Sequence, residues 1–157
     1  MRVFRLCAAR RDPKDATGAL KRGGRRNSPG NSVLYCASSL SLACLECLVH
    51  VRDPGNLPPL VYAEVAVSDR RIRLWEKDYT RTEAILESLV LSREVGDEWI
   101  NSRPGTLSRE RIERPVLQVP SVIVPQEWNY LINPASPLFR DITWSEPKPF
   151  KIDPRLL

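Results

Sequence analysis

The chain has 157 residues, 42% of them hydrophobic and 27% charged, with fourteen prolines, four cysteines and one histidine. That length and apolar content suffice for one substantial core without disulfides or metal, and so many prolines argue for short elements joined by rigid loops rather than a helical bundle. The net charge of +5 is concentrated, because residues 1–26 carry +7 and the remaining 131 sum to −2; a phosphate-bearing small molecule, a nucleic acid or an acidic protein partner would each suit it.

In chain order, residues 2–7 read as a strand. The arginine-rich start lacks the apolar run of a secretory signal and contains Asp12 and Asp15, which argues against organelle targeting. Gly23-Gly24-Arg25-Arg26-Asn27-Ser28-Pro29-Gly30 reads as a tight basic turn, with glycines that allow backbone to approach a ligand and N–H groups able to complete an anion nest. Residues 33–37 form a short buried strand, followed by Ser38 and Ser39 as N-caps of a helix over 40–51. There Leu40, Ala43, Cys44, Cys47, Leu48 and Val51 recur at helical spacing and define a buried stripe. Glu46 falls on its edge, one turn from His50 and within hydrogen-bonding reach of it. Asp53-Pro54-Gly55 ends the helix.

Leu60 to Val67 is a strand with one face covered. Thr80 or Thr82 caps a helix over 83–91 with Ile85, Leu86, Leu89 and Val90 inward, a second short turn holds Glu98, Trp99 and Ile100, and Arg103-Pro104-Gly105 closes the region. Strands return at 116–119, 121–124, 129–131, 142–144 and 150–152. No repeat, low-complexity tract, Gly-x-Gly-x-x-Gly or Walker loop is present. No apolar run approaches the ~20 residues that span a bilayer, so a protein of the cytoplasm, with no membrane contact, is expected. The four cysteines read as reduced thiols. Cys44-x-x-Cys47-x-x-His50 imitates a zinc motif, but on a helix the three side chains fan out and no second ligand pair follows, so no metal is expected.

Two polar residues interrupt apolar patterns and invite chemistry. Glu46 is either a cleft carboxylate able to support positive charge on a sugar ring or one half of an ion pair with an arginine. Ser121, between Pro120 and Val-Ile-Val, is either a substrate hydrogen-bond partner or the holder of a local turn; a serine-hydrolase role fails for want of a Gly-x-Ser-x-Gly elbow. Arg25 offers a planar cationic fork that matches phosphate oxygens, against a solvated basic loop as the ordinary alternative. Asn27 can donate to the same ligand. Tyr35 is either a stacking and orienting residue or core. Asn133-Pro134 with Pro137 reads as a structural turn supporting the site.

Taken together, Gly23-Gly24-Arg25-Arg26-Asn27, Leu45-Glu46-Cys47-Leu48-Val49-His50, Val119-Pro120-Ser121 and Leu131-Ile132-Asn133-Pro134-Ala135-Ser136-Pro137 resemble the RES-domain toxins of bacterial toxin-antitoxin modules, over nearly the whole chain. The arginine, glutamate and serine that name the family correspond to Arg25, Glu46 and Ser121, and Tyr35 belongs to the same pattern. Departures stand at Arg26, where tryptophan is usual, at Cys44 and Cys47, and at Ser136, where the family often has histidine. The resemblance implies one α+β domain over 1–157, similar to ADP-ribosyltransferases, with mixed or antiparallel sheets flanked by short helices. It also implies NAD as the substrate, cleaved between nicotinamide and ribose, with Arg25, Glu46 and Ser121 catalytic and Arg25, Asn27, Tyr35 and Ser121 binding. The ADP-ribosyl acceptor is then water, phosphate or a protein. The implied partner is a cognate Xre-like helix-turn-helix antitoxin that occludes the active site, with no direct nucleic-acid contact. A basic nucleic-acid-binding protein without catalysis is the rival from another class, motivated by the N-terminal charge, and an inactive family relative that only binds its partner is a further rival.

Overall fold

The structure, a computed structural model, describes residues 1–51, 53, 56–74, 86–101 and 114–157. Eight strands form one sheet: β1 (Arg2–Ala8), β2 (Leu34–Ala37), β3 (Leu60–Ala66), β4 (Ile72–Leu74), β5 (Val116–Pro120), β6 (Trp128–Ile132), β7 (Thr143–Trp144) and β8 (Lys148–Phe150). Their order is β4-β5-β6-β2-β1-β3-β7, with β8 also paired to β3. All pairings are antiparallel except β4 with β5. Among the described residues, α1 (Thr17–Arg22), α2 (Leu40–Leu48) and α3 (Leu89–Asn101) accompany the sheet. The result is an α+β fold. Among the described residues no helix is long and apolar enough to cross a membrane.

Strand alternation separates two faces. On one, Val3, Leu34, Cys36, Val65, Val116, Tyr130 and Ile132 make the larger apolar cluster. On the other, two smaller clusters lie side by side. Val33, Leu117, Val119 and Leu131 receive Trp99 of α3, while Ala37, Phe4, Leu6 and Val124 surround Leu42 and Ala43 of α2. The helices thus cover neighbouring parts of one sheet face, and the functional residues gather between them.

Helix α2 starts where its sequence says it should, because the Ser39 side chain accepts from Leu42 N–H as an N-cap. It stops at Leu48, earlier than the expected 51, and Val49 already caps it. Its deepest residue is Leu42, fully buried and absent from the expected stripe, whereas Cys47 and Leu48 are half-buried. Ser38 instead donates to Glu127. Of the Asp53-Pro54-Gly55 turn, positions 54 and 55 lie outside the described residues.

Two further expectations need correction. The separate turn expected at 98–100 is instead part of a longer helix, α3, which begins at Leu89; of the expected helix over 83–91, residues 86 and 87 are helical and Ser88 separates them from α3, while positions 80–85, with the expected caps, and Arg103-Pro104-Gly105 lie outside the described residues. Leu89 and Val90 are exposed rather than inward, and the buried positions are Ser92, Gly96 and Trp99. Small residues line that face because a loop presses on it: a Cβ on Gly96 would sit 1.6 Å from the Arg26 carbonyl oxygen. Secondly, residues 121–124 form no strand. The Ser121 hydroxyl accepts from Ile123 and Val124 N–H, both at 3.1 Å, and this side-chain turn ends β5 in favour of a bend.

The other expected strands fall within a few residues of their places, with β7 and β8 shorter or shifted at 143–144 and 148–150, whereas β4 and helix α1 were not anticipated. The Asn133 side chain accepts from Ala135 N–H, making the expected turn, yet that turn contributes nothing to the cavity described below.

Because α3 and the arginine loop touch backbone to backbone, Gly96→Ala should force them apart. Thermal or denaturant unfolding should show a loss of about 1–3 kcal/mol or more, the cost of overpacking a tight contact. Unchanged stability would mean that the helix does not clamp the loop.

Candidate functional site

The loop between α1 and β2 is fixed by its own chain. Gly23 adopts φ +69 and ends α1. Gly24 lies so close to Tyr35 that a Cβ would meet its hydroxyl oxygen at 2.6 Å, so the close approach serves the protein's own tyrosine and not a ligand. That hydroxyl accepts from Arg26 N–H at 3.1 Å and donates to Asn27 Oδ1 at 2.6 Å. The Asn27 amide donates in turn to the carbonyls of Ala19, Ser28 and Asn31. Fully buried, with its amide bonded throughout, Asn27 is the keystone of the loop and no part of the cavity wall.

Helix α3 holds the loop from outside. Arg93 Nε donates to the Gly24 carbonyl at 2.8 Å, and the Asp97 carboxylate accepts from Ser28 N–H at 2.9 Å and from the Asn31 amide. Burial works to raise the Asp97 pKa, but these hydrogen bonds and the Arg93 charge outweigh it and hold the carboxyl below its ordinary range. The expected backbone anion nest is largely spent. The N–H groups of Gly24, Arg26, Ser28 and Gly30 all serve acceptors within the protein, which leaves anion recognition to side chains.

Arg25 lines the cavity and is tethered through Nη2 to the Leu86 carbonyl, while its buried Nε has no partner among the described residues. Arg26 turns inward, 4% exposed, and donates through Nη2 to the Pro120 carbonyl at 2.9 Å. Burial first, and then the like charge of Arg25, pull its pKa down to about 10, with Tyr35 and Glu46 opposing the shift; it remains a cation at neutral pH. Arg26 therefore joins the arginine loop to the end of β5, one residue before Ser121.

Across the cavity, the Glu46 carboxylate on α2 accepts from Ser121 Oγ at 2.9 Å and from the Asn129 amide of β6 through the same oxygen, Oε1. It does not take the hydrogen bond expected from His50, which lies at the cavity wall at the end of α2. Ser121 is fully buried behind the carboxylate and outside the cavity wall, where its hydroxyl holds Glu46. Asn129 faces the cavity and escaped the sequence reading. Its signal was present, since it shares the covered face of β6 with Leu131, where a polar residue needs a partner. Arg93 and Asp97 were missed as well, although the charges bracketing Gly96 are the trace they leave.

Arg25, Tyr35, Glu46 and Asn129 thus share one cavity of about 720 Å³, within the roughly 300–1,000 Å³ that small-molecule sites occupy. Its arrangement is a carboxylate fixed by two neutral donors opposite arginines, suited to a ligand bearing both an anion and a centre that becomes cationic. All four cysteines are free. Cys47 lines the cavity, but burial raises its pKa, which disfavours thiolate. Among the described residues no cluster could hold a metal ion.

A family model described as the RES domain matches residues 2–153, and the chain belongs to that family. It is 34% identical over 141 residues to a protein named Toxin Res from Yersinia enterocolitica, covering 88% of this chain and 87% of that one. It is 33% identical over 159 residues to the Prs ADP-ribosylating toxin of a Sphingobium species, covering 93% and 88%. A chain in the crystal structure of the M. tuberculosis MbcT-MbcA toxin-antitoxin complex has the same fold, with a TM-score of 0.71 over 99% of this chain and 85% of that one at 16% identity.

Burial pushes the Tyr35 pKa up to about 12, against the lowering influence of the Arg26 hydrogen bond and charge. A raised folded-state pKa contributes stability that is complete below the ordinary value near 10 and is lost as pH climbs toward 12. Ultraviolet titration should therefore show a tyrosine step near pH 12, with stability falling across that window; burial raises Tyr130 as well. Tyr35→Phe should abolish that late step and cost about 2 kcal/mol, since it strands Arg26 N–H and Asn27 Oδ1. Normal ionisation of every tyrosine near pH 10 would contradict the buried placement.

Proposed function

We propose that this protein is a toxin that consumes NAD by cleaving the bond between nicotinamide and ribose, with water or phosphate as acceptor. The observation that carries the reading is the Glu46 carboxylate held by Ser121 and Asn129 in a cavity shared with Arg25. As the glycosidic bond lengthens, nicotinamide leaves with the bonding electron pair as a neutral base and positive charge develops on the ribose. A fixed carboxylate beside that ring stabilises the charge without reorganising. Ser121 and Asn129 keep Glu46 in one orientation, Arg25 holds the pyrophosphate, and Tyr35 presents its ring while its hydroxyl stays tied to the loop. Asn27 acts from behind, through the loop it fixes.

A second reading is transfer of ADP-ribose to a protein, favoured by the name of the Sphingobium relative. It shares every step up to loss of nicotinamide and differs in the nucleophile. The toxin reading also implies a partner. The titled complex of the structural neighbour supports an antitoxin, and the exposed Val49 and Val122 on the cavity wall offer apolar surface at its mouth. We assign that surface to a cognate Xre-like helix-turn-helix antitoxin that covers the site, in the cytoplasm. A nucleic-acid-binding role, by contrast, makes no use of the half-buried carboxylate.

Purified protein incubated with NAD, with and without phosphate, should release nicotinamide. Glu46→Gln should lower kcat by roughly 10²–10³-fold, the scale of losing one electrostatic stabiliser, and Ser121→Ala or Asn129→Ala by about tenfold each with little change in KM. ADP-ribose, ADP-ribose 1″-phosphate or a modified protein among the products identifies the acceptor. No nicotinamide from the wild type, or full activity in Glu46→Gln, would sink the proposal.

A further inference from the structure

Five arginines line the cavity, and three are engaged. Arg5 donates to the Tyr35 and Asp15 carbonyls, Arg25 to that of Leu86 and Arg26 to that of Pro120. The other two, Arg11 just after β1 and Arg22 at the end of α1, make no guanidinium hydrogen bond or ion pair among the described residues. They also converge: measured from the position a Cβ would take on Gly18, Arg11 Nη1 lies at 3.1 Å and Arg22 Nη2 at 3.7 Å. Two unpaired cations within 4 Å of one point repel each other, and a phosphoryl group between them turns that repulsion into a pair of charge-assisted hydrogen bonds. Gly18 keeps the wall low beneath both, and a side chain there would make the Arg11 guanidinium shift. Asp15 also lines this end of the cavity; its Oδ1 accepts from Thr17 N–H at 2.8 Å, and its charge is felt by Arg11 without a direct ion pair.

We propose that Arg11 and Arg22, converging over Gly18, form a second anion subsite of the cavity that takes a phosphoryl group of the bound nucleotide. The inference rests on the nucleotide reading of the cavity, but its evidence is the unpaired guanidinium pair and not the Glu46 centre. The phosphoryl group is either part of the pyrophosphate bridge or an additional phosphate on the adenosine ribose, as in NADP. The pair sets affinity and substrate choice, and bond cleavage stays with Glu46.

Calorimetric titration with ADP, adenosine 2′-phosphate and adenosine tests it without requiring turnover. Arg11→Gln and Arg22→Gln should each weaken a phosphorylated probe by roughly tenfold, the scale of one charge-assisted contact, while adenosine and the exposed-cation control Lys14→Gln stay unchanged. Loss confined to ADP assigns the pyrophosphate, and loss confined to adenosine 2′-phosphate assigns a ribose phosphate. Wild-type affinity for both phosphorylated probes in both variants would overturn the subsite, as would equal loss of adenosine, a matching loss in Lys14→Gln, or no probe binding to the wild type. The two claims fail separately. Nicotinamide release with unaltered KM for NAD and NADP in the double variant removes the subsite alone, whereas phosphate-dependent binding without any nicotinamide release removes the NAD reading alone.

Discussion

A single carboxylate oxygen organises this protein. Glu46 Oε1 accepts from Ser121 and Asn129, which come from the end of β5 and the start of β6, more than seventy residues further along the chain. A carboxylate on the edge of a short helix would otherwise swing toward solvent or toward the arginines. Two neutral donors fix it without neutralising it, which suits the proposed stabilisation of a transient cation. Ser121 gives up β-structure: its hydroxyl accepts from two backbone N–H groups, bends the chain, and so donates its own hydrogen bond to Glu46.

The opposing half of the site obeys the same logic with more parts. A guanidinium grips an anion well only if its loop does not move, and the loop that carries Arg25 is held by Tyr35 and Asn27 from within and by Arg93, Gly96 and Asp97 of α3 from outside. Arg26, where the family usually has tryptophan, ties this loop to the Pro120 carbonyl. A large planar side chain is retained at that place, and a polar tether joins the two halves of the cavity. The four residues expected to bind substrate thereby divide: Arg25 and Tyr35 reach the cavity, while Asn27 and Ser121 stand behind it.

Much of this was legible in the chain. The Ser39 cap, the α2 helix with Glu46 on its edge and the outer strands follow from spacing and turn chemistry, while the pairing of an arginine loop with that glutamate comes from the family resemblance. What escaped did so for physical reasons. The inward face of α3 consists of Ser92, Gly96 and Trp99, so apolar periodicity, which assumes that buried means large and hydrophobic, pointed to exposed Leu89 and Val90 instead. Val-Ile-Val after Ser121 has strong β character, and only the serine's local hydrogen bonds defeat it. Asn129 left a signal, a polar residue in register with Leu131, but on a strand covered on both faces alternation does not say which partner such an amide takes.

The central claim is that Arg25 and Glu46 hold opposite parts of one dinucleotide. A crystal structure of the Glu46→Gln protein with NAD tests it most directly. The account predicts the nicotinamide ribose against residue 46 and Asn129, with the pyrophosphate on the arginine side of the same cavity. A dinucleotide bound elsewhere, or lying in this cavity with its glycosidic bond turned away from residue 46, would contradict it.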